Sequence, residues 1–262
     1  MAGTYLDSIV AAHRKRAAGD VRDWRQRIVA PSAGGFERAL REHRNQGNAV
    51  IAEVKRASPS KGSLNADLDP GSLAIAYRDG GASAISVLTD RDHFSGSVED
   101  LIAVRSAVTL PILRKDFTVS VNDVLDTAEM GASCVLLIVA ALSVEELKEF
   151  LLVSRDVGLD ALVEVHDEVE AACAIELGAS IIGVNQRDLH SFQVDADRAK
   201  RVAAALPKDV VRVAESGFHS AAAVQEAAAA GFDAVLVGEA FVTSEDTSAA
   251  VRSFVGFEIG RS

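Results

Sequence analysis

Cysteine is nearly absent. The 262 residues hold two, Cys134 and Cys173, within GASCVLLIV and EAACAIEL. That is too few for a disulfide scaffold, and there is no CxxC and no histidine pair at ligand spacing to make a zinc or redox motif. Both read as reduced, buried thiols. Long apolar runs are also missing. The longest, CVLLIVAAL, has nine residues, against about twenty for a membrane span. The opening MAGTYLDSIVAAHRKR lacks the apolar stretch of a signal peptide. The expectation is a cytoplasmic protein without a membrane partner. Basic charge is in deficit, with 27 Lys+Arg against 38 Asp+Glu and a net charge of −11. Nucleic-acid binders usually carry a basic surface, so no nucleic-acid partner is expected. What remains, 48% apolar and 25% charged residues, is the make-up of a globular chain rather than a disordered one.

A strand and helix rhythm fills most of the length. Eight short runs recur: AVIAEVK (49–55), AISVLTD (84–90), LPILRKDF (110–117), CVLLIVA (134–140), DALVEVH (160–166), IIGVNQRD (181–188), VVRVAES (210–216) and AVLVGEA (234–240). Near-continuous apolar runs of this length suit strands buried on both faces of a parallel sheet. The intervening stretches SVEDLIAVRSAV, SVNDVLDTAEMGA, SVEELKEFLLVSRDVG and DEVEAACAIELGA open on Ser or Asp, with Asp or Glu three residues later. That is a capping-box pattern. Several close on glycine, as a helix C-terminus prefers. Eight such units predict an α/β fold, a (β/α)8 TIM barrel over residues 49–262. An open doubly wound sheet is the alternative, but ASPSKGSL follows the first strand where that fold often has GxGxxG. Before the barrel, residues 1–48 are expected to form an N-terminal helical extension. Leu6, Ile9, Val10 and His13 repeat at helical spacing, and FERALREH (36–43) reads as a second helix. The segment is too small to fold alone and should pack on the barrel.

Alternate strand residues of a barrel point inward. Five inward rows end in charged or polar groups: Glu53 and Lys55, Lys115 (then Phe117), Glu164 and His166, Asn185 and Arg187, and Glu215 followed by Ser216. Buried charge is costly unless paired. Its gathering at the C-terminal strand ends is the signature of a barrel active site, against the alternative of purely structural ion pairs. Arg114 and Asp116 have the opposite parity and read as an outer ion pair. Glycine turns follow the last two strands, at Ser216-Gly217 and Gly238-Glu239. That is where the fold binds phosphate through backbone N–H groups. The residues alone predict an enzyme for a small phosphorylated substrate, with lysines as acids or clamps and glutamates as bases. No metal and no cofactor are called for.

Eight segments then resemble one family, indole-3-glycerol phosphate synthase: IAEVKRASPSKG, SVLTDRDHFSGS, LPILRKDF, LLIVAAL, LVEVH, IGVNQRDL, VAESG and VLVGEAF. YLDSIVAAHR resembles the family's N-terminal extension. The resemblance implies closure and decarboxylation of 1-(2-carboxyphenylamino)-1-deoxyribulose 5-phosphate to indole-3-glycerol phosphate, a step of tryptophan biosynthesis. It implies Lys115 as general acid and Glu164 as general base, with Glu53 and Asn185 holding the reacting hydroxyls. Lys55 would contact the substrate's anionic groups, and Arg187 and Ser58 would meet the anthranilate carboxylate. Phe94, Phe117 and Leu189 would wall the aromatic ring, and Glu215 and Ser216 would close the top. Phosphate would rest on Lys55, Ser216, Gly217, Gly238 and the N–H of Glu239. Glu239 departs from a commoner serine, and its carboxylate should turn away. Residues 57–70 are expected to form a lid, carrying Ser58 and Lys55 into place. His166 reads as a histidine satisfied by nearby backbone, and His93 as solvent-exposed.

Two rivals remain. Phosphoribosylanthranilate isomerase shares the barrel, but needs a cysteine on the first strand, where this chain has Glu53 and Lys55. A catalytically dead barrel should have lost Lys115, Glu164 or Lys55, and all are present. A monomer or weak homo-oligomer is expected.

Overall fold

The computed structural model describes residues 4–44, 46–58, 61–187 and 193–260. Eight strands alternate with helices: β1 Ala49–Val54, β2 Ala84–Leu88, β3 Ile112–Lys115, β4 Cys134–Ile138, β5 Asp160–Val165, β6 Ile181–Asn185, β7 Val211–Glu215 and β8 Ala234–Val237. They close into a barrel in sequence order, with β8 pairing β1, and every pair is parallel. This is the TIM barrel that the rhythm predicts, not the open sheet.

Each strand supplies two apolar rows, as the pleat requires. Ala49, Ile51, Leu113, Cys134, Leu136, Leu162, Ile181, Val211, Val213, Ala234 and Leu236 point inward into one cluster. Val50, Ala52, Val87, Val135, Val163, Val184 and Val235 point outward into a larger one, under the surrounding helices. Two helices precede β1: α1 Tyr5–Ala18 and α2 Phe36–His43. Helix α2 plugs the bottom of the barrel. Phe36 and Leu40, both fully buried, join the inward cluster. The Glu37 N–H donates to Asp160 at the start of β5, 3.0 Å away.

Helix α1 lies over the other end. His13 is 3% exposed, and its Nε2 meets Asp90 Oδ2, just beyond β2, at 2.8 Å. Arg14 forms a bidentate pair with Glu146 across the next units. Arg114 and Asp116 pair at 2.8 Å on the outer side of β3, as their parity predicts.

The capping pattern is only partly used. Ser97, Ser120, Ser143 and Asp167 all cap their helices with the side chain. Only Ser143 forms the reciprocal box, with Glu146. The other acidic partners are engaged elsewhere: Asp100 on Arg56, Asp123 on the Val119 N–H and Glu170 on His166. Cys134 is buried as expected. Cys173, on the helix after β5, is only partly buried, packed at the margin of the outer core cluster. Among the described residues no helix is long and apolar enough to cross a membrane.

Candidate active site

The C-terminal ends of the strands ring one cavity. Its floor is a layer of charge from alternate strands: Glu53 on β1, Lys115 on β3, Glu164 on β5 and Glu215 on β7. All three carboxylates are buried. Four side chains per layer, from every second strand, is how this barrel fills its interior. Here the layer is ionic where those below are apolar.

Lys115 holds the layer together. Its Nζ lies 3.3 Å from Glu164 Oε2 and 3.2 Å from Glu215 Oε2. Burial pushes the ammonium down, but Glu215, Glu164 and Glu53 outweigh it and hold Lys115 well above the ordinary lysine value. Burial pushes Glu164 up, and Lys115, His166 and Asn185 more than reverse it, so this carboxylate stays ionised. Glu215 goes the other way. Burial drives it up to about 7, with Lys115 opposing and Glu164 adding to the rise. Apart from the ion pair with Lys115, neither Glu215 oxygen has a hydrogen bond among the described residues. One lysine therefore serves two carboxyls whose proton affinities are pushed apart, the arrangement that separates an acid from a base.

The neighbours fix this pair. Asn185 Nδ2 donates to Glu164 Oε1 at 3.0 Å, and Asn185 Oδ1 accepts from Ser216 Oγ at 2.9 Å and from the Arg187 N–H at 3.0 Å. Lys55 Nζ pairs with Glu53 Oε1 at 2.8 Å. Ser216 and Gly217 both have positive φ, 70° and 82°. A non-glycine residue held there is strained, and such strain marks turns that the surroundings over-determine. The turn aims backbone into the cavity beside Gly238 and Glu239, which opens a short helix, Glu239–Val242. The Glu239 carboxylate is turned to Lys61 Nζ in a close ion pair, which holds it below the usual carboxylate range against burial.

Ser58, Phe94, Phe117 and Arg187 also line the cavity. Phe94 and Phe117 stand 6.3 Å apart at 33°, forming an apolar wall. Leu189 lies outside the described residues. Of the segment 57–70, two-residue strands Ala57–Ser58 and Gly62–Ser63 form a hairpin, pinned by Arg56 on Asp100.

Three features escaped the sequence reading. Tyr5, Leu6 and Ile9 of α1 line the cavity. Their helical spacing was legible, but not the surface they cover. His93 is half-buried, not exposed, because Asp90 holds both its N–H and its ring. His166 is not satisfied by backbone. Its own N–H and Nδ1 meet the Glu170 carboxylate at 2.8 and 3.1 Å, and its Nε2 faces Glu164 Oε1 at 3.5 Å. The DEVE motif carries the signal. Glu170 reaches back one residue past the cap it was expected to close.

Two comparisons of solved structures concern the fold alone. A thiamine phosphate pyrophosphorylase from Pyrococcus furiosus superimposes with a TM-score of 0.60 at 17% identity, over 80% of this chain and 95% of that one. An N-acetylmannosamine-6-phosphate 2-epimerase from Clostridium perfringens gives 0.59 at 16%, over 77% and 89%. Sequence goes further. The family model described as indole-3-glycerol phosphate synthase matches residues 5–254. The chain belongs to the indole-3-glycerol phosphate synthase family. Relatives carrying that name include one from Mycolicibacterium vanbaalenii, 47% identical over 96% of this chain and 94% of its own. The one from Mycolicibacterium smegmatis is 48% identical over the same shares, and that from Mycobacterium avium 51% over 87% and 82%. The match takes in α1, so the family includes the helix that roofs the cavity as well as the barrel.

Proposed function

We propose that the protein is an indole-3-glycerol phosphate synthase of tryptophan biosynthesis, a carboxy-lyase acting on 1-(2-carboxyphenylamino)-1-deoxyribulose 5-phosphate. The observation that carries this reading is Lys115 set between Glu164 and Glu215 in a buried layer, beneath an apolar wall and beside two backbone turns.

The reaction divides into steps these residues suit. The ring carbon bearing the carboxylate attacks the ketone, whose oxygen takes a proton from Lys115. Loss of CO2 returns the electron pair to the ring. The hydroxyl left behind departs as water with a second proton, given by Lys55, and Glu164 removes a proton from the carbon beside the nitrogen, completing the indole. An ionised carboxylate and a protonated amine 3.3 Å apart supply both ends. Asn185 holds Glu164 in place, and Glu53 holds Lys55 near the substrate's anionic groups. Arg187 and Ser58 would receive the anthranilate carboxylate, for which a planar guanidinium is well shaped. Phe94 and Phe117 would pack the ring and bring the reacting carbons together. The phosphate would sit on the Ser216-Gly217 turn, Gly238 and the Glu239 N–H, with Lys55 adding charge. Leu189, as a further part of the ring wall, rests on the family resemblance. No step calls for a metal or cofactor.

Incubation with this substrate and mass spectrometry of the product tests the reading. The expected product is the substrate less CO2 and water. Unchanged substrate, or an isomer of it, would refute the assignment.

A further inference from the structure

The surroundings of His166 give this histidine a purpose. It directly follows β5, two residues after Glu164, with the intervening Val165 pointing outward, so both side chains face the same interior. Its side chain is 12% exposed, and its Nε2 is fully enclosed without a hydrogen bond among the described residues. Burying a ring N–H unpaired costs about 1–3 kcal/mol. The acceptor it faces is Glu164 Oε1, 3.5 Å away, which already takes one bond from Asn185. That separation is just beyond a hydrogen bond, so a slight rotation of the Glu164 carboxylate makes one.

The other side of the ring is fixed. Glu170, one turn into the next helix, Glu168–Glu176, accepts from both the His166 backbone N–H and Nδ1. A carboxylate on Nδ1 orients an imidazole and stabilises its charged form. Three carboxyls face the ring: Glu164 on its own strand, Glu170 on the helix and Glu215 on β7. The opposing cation is Lys115, beyond Glu164. The turn Val139–Ala141 packed against β5 carries no titratable side chain. Burial lowers the ring's proton affinity, but Glu170, Glu164 and Glu215 outweigh it, so the affinity is raised.

We propose that His166 is a positioning residue for Glu164: anchored by Glu170, its Nε2–H steadies the carboxylate from the side opposite Lys115 and keeps it ionised and aimed at the substrate. This rests on Glu164 being the general base. Glu170 then does for His166 what the buried carboxylate of a catalytic triad does for its histidine, fixing the tautomer and orientation of the ring.

The test compares steady-state kinetics of the full-length protein, wild type and variants, across pH. His166→Ala should lower kcat on the order of 10- to 100-fold, the scale of a misplaced base, with KM changed little. The acid limb of kcat/KM should move up by about 1 unit, because a cation beside the carboxylate is gone. His166→Gln keeps an uncharged donor near the Nε2 position. It should recover part of kcat but not the position of the limb. Glu170→Gln leaves position 166 intact, and should shift both in the same direction by less. It keeps the test decisive if the alanine variant does not fold. Glu164→Gln is the control. An inactive Glu164→Gln beside a His166→Ala of unchanged kcat and pH profile would overturn the role of His166 alone. Full turnover by Glu164→Gln would overturn the base assignment and this inference together.

Discussion

Gly183→Ala puts a methyl group into the charged layer from below. Gly183 sits mid-strand in β6, opposite Glu164 in the ladder. A Cβ there would fall inside contact distance of Glu215 Oε1, 3.1 Å from Glu215 Cδ and 3.2 Å from Leu162 Cδ1. Glu215 is 1% exposed, so its carboxylate has little room to retreat. Overpacking of this kind costs about 1–3 kcal/mol, which lowers Tm by on the order of 2–10 °C in a chain of this size. Moving Glu215 also takes from Lys115 the anion that raises its proton affinity most. Turnover should therefore fall as well, by on the order of 10-fold. Denaturant unfolding of Gly183→Ala, Glu215→Ala and the double variant closes a cycle. With Glu215 truncated, the methyl has space, and its cost should shrink to within about 0.5 kcal/mol. An equal cost in both backgrounds would show that the methyl does not meet the carboxylate, and would refute the packing of the charged layer described here.

Other consequences are as direct. Lys115→Met leaves Glu164 and Glu215 buried without their cation. Both then hold protons more tightly folded than unfolded, so the penalty is absent below the unfolded glutamate value near pH 4.3 and grows as pH rises through the raised folded values. Unfolding scans should show little loss at pH 5 and about 3–5 kcal/mol at pH 8; a loss independent of pH would contradict this. Glu215→Gln removes the largest support for the Lys115 ammonium, so the alkaline limb of kcat/KM should move to lower pH; an unmoved limb would separate Glu215 from the acid. Glu239→Gln frees Lys61 and removes a carboxylate beside the turn proposed to hold the phosphate. KM should fall by about two- to five-fold with kcat unchanged, as fits an exposed pair worth 1 kcal/mol or less; a raised KM would mean the carboxylate helps binding. His13→Ala unpairs buried Asp90 from α1, which should cost about 1–3 kcal/mol in unfolding experiments and raise KM, because α1 roofs the cavity. The Asp90 carboxyl lies below its ordinary value although burial opposes this. Its contribution is therefore complete above the unfolded value near pH 3.9 and lost as pH falls below it. A variant as stable as wild type would argue against the anchor.

Much of the site was legible because parallel strands are buried on both faces. In such a strand a charge is an anomaly, and its parity says which way it points. That argument placed Glu53, Lys115, Glu164, Asn185 and Glu215 in one interior, and Arg114 with Asp116 outside it. The strands themselves proved shorter than the apolar runs. Of LPILRKDF only Ile112–Lys115 pairs, since Asp116 and Phe117 already turn over the barrel rim. What the pattern did not contain was long-range. Leu6 and Ile9 advertise an apolar face, but only the closed barrel shows that it roofs the cavity. Glu170 and Glu146 have the same spacing from their caps. Glu146 closes its box and Glu170 leaves its own for a histidine, because His166 offers both its backbone N–H and its ring, whereas the Leu142 N–H before Ser143 already donates to Val139. Local spacing names the candidates for a bond, and the neighbours choose between them.

The most direct measurement of the central claim follows indole fluorescence with purified wild type, Lys115→Ala and Glu164→Gln, given 1-(2-carboxyphenylamino)-1-deoxyribulose 5-phosphate without added metal. The wild type should form indole-3-glycerol phosphate steadily, and each variant should lose several orders of magnitude in rate. Turnover surviving in either variant would contradict the acid and base assigned to this pair. No indole from the wild type would contradict the function itself.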